Sequence, residues 1–126
     1  MGAIATDEAG RGAATVTPIL PTAARDALAT AKARLAAEFG PRLRDVRVFG
    51  SRAWGQPSAD SDVDVAVVIE GASSLDRGVA TSIVADVAVQ TETDLRAMVW
   101  SAAELDRQVR IGTRLATDLV TRGVPI

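Results

Sequence analysis

Residues 48–69 read VFGSRAWGQPSADSDVDVAVVI, and the fold turns on this stretch. Its left end closes a strand. Arg44, Val46 and Val48 alternate with Asp45, Arg47 and Phe49, and the run stops at Gly50-Ser51. Its right end opens a second strand, Asp62 to Ile69, apolar on both faces beyond Asp64. A strand apolar on both faces belongs in the middle of a sheet covered on both sides. The connection between the two is too short for a helical crossover, so the strands are expected to be antiparallel neighbours. That puts Gly50-Ser51 beside the Asp62 end of the second strand.

Outward from this centre the chain alternates helix and strand. On the N-terminal side, Thr22 reads as the cap of a helix with Leu28, Ala31, Leu35 and Phe39 at helical spacing, stopped by Gly40-Pro41. On the C-terminal side, Ser74 reads as the cap of a helix running to about Val89, followed by a third strand over Thr93 to Trp100. Ser101-Ala102-Ala103-Glu104 is a capping-box signal for a last helical region. That region is interrupted near Gly112, continues to Arg122 and ends at Gly123, leaving Val124-Pro125-Ile126 as a short extended tail. Leu28, Leu35, Phe39 and Leu115 are expected in the core. The reading is an α/β domain, a small mixed sheet with flanking helices, over residues 18–126, preceded by a flexible tail over residues 1–17.

Strand geometry then gathers acids. Asp62 and Asp64 are two apart, so their side chains leave one face. A helix between the second and third strands is a parallel crossover, and parallel strands bring their starts together. Asp94, at the start of the third, is thus expected beside Asp62 and Asp64. Carboxylates this close repel one another unless a cation lies between them. The chain has no histidine and no cysteine. Metal and acid–base chemistry therefore fall to carboxylates, which favour hard cations such as magnesium. Gly50 lets backbone approach a phosphate, and the Ser51 hydroxyl can bind its oxygens. Arg52 is either a phosphate ligand or a solvated charge. Two Mg2+ ions on the aspartates would suit phosphoryl or nucleotidyl transfer, with Asp94 the candidate general base. Arg47 and Arg96 could reach a nucleotide but read better as surface residues.

Gly50-Ser51, ten residues, then Asp62-Val63-Asp64, with Asp94 as third acid, resembles the DNA polymerase beta-like nucleotidyltransferases. Arg52, Ala53 and Gly55 make the chain most similar to the minimal nucleotidyltransferases, small bacterial proteins often encoded beside a helical partner. The position of Trp54 is often basic in them. The resemblance implies a palm-like fold and a magnesium-dependent enzyme with ATP as substrate. Asp62, Asp64 and Asp94 would be catalytic metal ligands, and Gly50, Ser51 and Arg52 would bind the nucleotide. It further implies an antitoxin moving AMP onto a hydroxyl of a helical HEPN toxin. The alternatives are an antitoxin acting by binding alone and an enzyme modifying a small, antibiotic-type molecule.

A net charge of −2 gives no bulk attraction to nucleic acid. No run approaches a membrane span, and the first 17 residues lack a signal-peptide pattern. The expected location is cytoplasmic.

Overall fold

The computed structural model describes residues 22–49 and 63–126. The first helix, α1, spans Thr22–Phe39 and buries Ala24, Ala27, Leu28, Ala31, Leu35 and Phe39 along one side. Thr22 is its first helical residue, not a cap seen from outside it. Gly40, at φ +57, turns the chain out of the helix, and Pro41 sits in a short 3-10 turn, Gly40–Arg42. Strand β1 follows at once, Leu43–Phe49.

Strand β2 is Val63–Ile69, and it pairs antiparallel with β1 as the short connection requires. Every residue of β2 except Asp64 is buried. Helix α2, Ser74–Thr91, then carries the chain back to β3, Leu95–Ser101, which pairs with β2 in parallel. Two boundaries differ from the sequence reading. Ser73, not Ser74, caps α2: its hydroxyl accepts from the Asp76 N–H, and Asp76 accepts from the Ser73 N–H. A reciprocal cap satisfies two end donors, so it outcompetes the plainer signal one residue on. Helix α2 also runs two residues past Val89. Glu92 takes a left-handed conformation there (φ 55) and delays the strand to Leu95.

Ser101 caps α3, Ala102–Ile111, by accepting from the Glu104 N–H at 3.1 Å. The Glu104 carboxylate turns instead to Arg107 and Gln108. Gly112, at φ +81, ends α3, and α4 spans Arg114–Arg122. The tail is extended as expected, and it also joins the sheet. Val124–Pro125 forms β4, antiparallel to β1, with Val124 opposite Val48 and Pro125 opposite Arg47. The Ile126 N–H donates to Val46 O, and Lys32 Nζ holds the Ile126 carbonyl. Proline suits this place because an edge strand leaves one side without ladder partners. The sheet order is thus β3-β2-β1-β4.

Two apolar layers fix the sheet. Val63, Val65, Val67 and Ile69, with Val46 and Val48, pack against α1 and α2. Ala66 and Val68, with Phe49, pack against Leu105 of α3 and Ala116 and Leu119 of α4. Ala27, Ala31 and Val87 join α1 to α2, small side chains letting the helices approach. Leu28, Leu35 and Phe39 are buried as expected, but Leu115 is 45% exposed. On α4 the inward positions are Ala116 and Leu119, and Leu115 falls outside that stripe. The expected tail over residues 1–17 lies outside the described residues. Among the described residues no helix is long and apolar enough to cross a membrane.

Candidate functional site

The site is an end of the sheet where three strands meet. Strand β1 finishes with Phe49, whose pairing partner is Asp64. Strand β2 begins with Val63, paired to Leu95 at the start of β3. The Val63 N–H donates to the Asp94 carbonyl at 2.8 Å, fixing the two strand starts side by side. From a strand spacing of about 4.8 Å and a rise of about 3.3 Å per residue, Asp64 and Asp94 are diagonal neighbours roughly 8 Å apart at Cα.

Alternation decides which side Asp64 serves. Val63 and Val65 face α1 and α2, so Asp64 shares the other face with Ala66 and Val68. Helices α3 and α4 cover that face further along, and Asp64 keeps 29% of its side chain exposed. Asp94 is exposed. It borders a depression of about 380 Å³ lined also by Ala88, Val89, Thr93 and Leu95.

Arg96 is exposed, as expected of a surface residue. It pairs laterally with Asp64 across the parallel strands, and its Nε lies 3.8 Å from Asp64 Oδ1. That is ion-pair range but beyond a hydrogen bond. Arg47 is a different case. It bonds Asp45 and the carbonyls of Val120 and Gly123, so it ties β1 to the C-terminal turn.

Of the residues singled out in the sequence, Asp64 and Asp94 are thus brought to one sheet end. Gly50, Ser51, Arg52 and Asp62 lie outside the described residues; Trp54 does too. Among the described residues no three acidic groups cluster as a metal site. The donor chemistry nevertheless fits a hard divalent cation: one half-buried and one exposed carboxylate at adjoining strand starts, in a chain without histidine or cysteine.

The family model described as "Nucleotidyltransferase domain" matches residues 29–117. Three solved structures are similar in fold. A candidate nucleotidyltransferase from Sulfolobus solfataricus has 23% identity and a TM-score of 0.48, over 92% of this chain and 90% of that one. A toxin–antitoxin crystallised with AMP-PNP has 20% identity and a TM-score of 0.47, over 75% of this chain and 68% of that one. A mutant of the toxin–antitoxin MntA-HpeT has 20% identity and a TM-score of 0.46, with the same coverage. No curated protein matches the chain.

Proposed function

The chain belongs to the nucleotidyltransferase domain family, and on that footing we propose that it moves AMP from ATP onto a hydroxyl of a partner protein, with magnesium. The observation that carries this reading is the register at the sheet end. Phe49 opposite Asp64, and Val63 beside Leu95, bring two acids to the point where the chain enters Gly50-Ser51.

In this reading Asp62, Asp64 and Asp94 supply the carboxylates that hold the metal. Magnesium held there would neutralise charge on the phosphate oxygens. Gly50, Ser51 and Arg52 hold the triphosphate. Asp94 accepts the proton of the acceptor hydroxyl. The acceptor oxygen bonds to the α-phosphorus while the bond to the pyrophosphate oxygen breaks, and pyrophosphate leaves.

The chain has no tyrosine, so a phenol acceptor must come from elsewhere. Asp94 is exposed at the edge strand of the sheet, an open side that a second protein would cover. Covering it would exclude water and orient the nucleophile. The resemblance to minimal nucleotidyltransferases makes that partner a helical toxin and this chain its antitoxin, working in the cytoplasm.

Mass spectrometry tests the reading. The chain is incubated with magnesium and ATP, alone and with the protein encoded beside it. The expected result is the added mass of one AMP on a tyrosine or serine of the partner. Full neutralisation of the partner by Asp64→Asn, without any transfer, would overturn the reading in favour of binding alone.

A further inference from the structure

Successive backbone groups of a strand turn to alternate sides, so one hydrogen bond sets the phase of the whole element. The Val63 N–H donates to the Asp94 carbonyl at 2.8 Å. The N–H and C=O groups of Arg96, Met98 and Trp100 therefore turn toward β2, and those of Leu95, Ala97 and Val99 turn away from it. Strand β3 ends the sheet order, and among the described residues no strand lies on its outer side.

That outer side is closed at one end. Arg77 of α2 reaches across it and donates Nη1 to the Val99 carbonyl at 2.7 Å. An outward acceptor is thus occupied close to where β3 gives way to α3. Among the described residues no side chain does the same at Leu95 or Ala97, the pair nearer Asp94. Open edge groups are a template for another extended chain. Beside them lies the depression of about 380 Å³, walled on its α2 side by Ala85, Ala88 and Val89, and Val89 is 77% exposed. An added strand alternates its side chains. Those on one face would lie over this small apolar wall, and those on the other would share the face of Asp64 and Asp94. A second copy of this chain fits less well. Two-fold pairing through Leu95 and Ala97 sets Arg96 opposite Arg96, and like charges directly opposite are destabilising.

We propose that the open edge, Leu95 to Ala97, takes an extended segment of the acceptor protein as a further strand and so carries its hydroxyl to Asp94. Main-chain hydrogen bonds hold the segment, and the depression selects an apolar side chain next to the modified residue in sequence. The inference rests on the transferase reading above and names how its acceptor is held.

The experiment uses the full chain and the protein encoded beside it. Amide hydrogen exchange, resolved by residue, is followed with Mg2+ and α,β-methylene ATP, which permits no turnover. In the free chain the Arg96 and Met98 amides should be slow and those of Leu95 and Ala97 fast. The partner should slow Leu95 and Ala97 by about tenfold or more and leave Arg96 and Met98 little changed. Ala97→Pro removes an outward N–H and spares the ladder to β2, a place where an edge strand accepts proline. With ATP it should raise the KM for the acceptor about three- to tenfold, the range of a lost hydrogen bond, with kcat and analogue binding within about twofold. Val89→Asp, at an exposed position, should raise the same KM and serves where proline lowers the melting temperature. Unaltered KM in both variants, or AMP transfer to a partner that leaves Leu95 and Ala97 unprotected, would overturn the proposal and leave the transferase reading standing. Protection that grows with the concentration of this chain alone would give the edge to a second copy and overturn it too. Absence of transfer by the unsubstituted chain would remove the transferase reading, and the acceptor with it.

Discussion

The two ends of the sheet use similar side chains to opposite effect. At the end carrying Leu43 and Ile69, Arg42 donates to the carbonyls of Glu70 and Gly71 and to the Asp76 carboxylate. Arg44 pairs with Glu70, and Asp76 closes the cap of α2. Acids there are spent on structure. At the other end, Arg96 Nε approaches Asp64 Oδ1 at 3.8 Å, and among the described residues the Asp94 carboxylate makes no ion pair. The difference teaches that an acid's placement says less than the strength of its local grip. One end is tied by its charges into the turn and the helix cap, and the other carries the acids that the proposed function assigns to a ligand.

The sharpest way to break this comparison is to exchange an acid at each end. Asp64→Asn should lower AMP transfer by on the order of 1,000-fold, the scale at which lost electrostatic stabilisation registers. Its melting temperature should stay within about 2–4 °C of the unsubstituted chain, since the change removes charge from a half-exposed position. Transfer assays paired with thermal melts check both. A collapse of the fold would place Asp64 with the structural acids.

The buried strand between the ends gives the next largest effect. Ile69 is fully buried at the locked end. Ile69→Ala should cost about 2–5 kcal/mol in urea unfolding, from lost burial and the cavity left behind. Nucleotide affinity of the remaining folded protein should be unchanged. A loss below about 1 kcal/mol would show that the locked end is not packed as described.

Most of the fold was legible because periodicity and chain length decide it. The apolar run Val65–Ile69 could only be a central strand, and the helix before Leu95 could only be a parallel crossover. What escaped the sequence was settled by long-range contact. Nothing local says that Val124 and Pro125 find β1, since two residues carry no strand pattern. Leu115 is apolar, and only the placement of Ala116 and Leu119 inward shows that it faces out. At the site, the pairing of Val63 with Leu95 sets the two strand starts side by side, which the parallel crossover made readable in advance. The approach of Arg96 to Asp64 needed the actual register. The roles of Gly50, Ser51, Arg52 and Asp62 still rest on motif.

Asp76 offers a smaller, pH-dependent contrast. Hydrogen bonds from Arg42, and then from the Ser73 backbone, hold its carboxyl at about 2, below the ordinary 3.8. A depressed folded value stabilises the native state when the group is ionised. The contribution is therefore complete above about pH 3.8 and is lost as pH falls toward about 2. Asp76→Asn should lower the melting temperature at neutral pH and remove part of the acid sensitivity between those values. Parallel melting curves from pH 2 to 7 would show the two proteins converging at the acid end. Parallel offsets at every pH would mean that the locked end draws nothing from this charge.

The smallest expected effect separates stability from function. Gly78 lies within α2, and a Cβ added there meets nothing within 4 Å. It lines the open groove between α1 and α2, on the opposite side of the sheet from Asp64. A helix-interior glycine gives up backbone entropy that alanine does not, and here no close neighbour forbids the methyl group. Gly78→Ala should therefore stabilise the domain by about 0.5–1 kcal/mol in urea unfolding. Distant, independent changes add, so in this background Asp64→Asn should show the same loss of transfer. If the added stability rescued transfer, the defect at Asp64 would be one of folding, and the contrast between the two sheet ends would fail. If Gly78→Ala instead destabilised the chain, the groove would not be open space, and something packs against α2 that the contacts within this chain do not include.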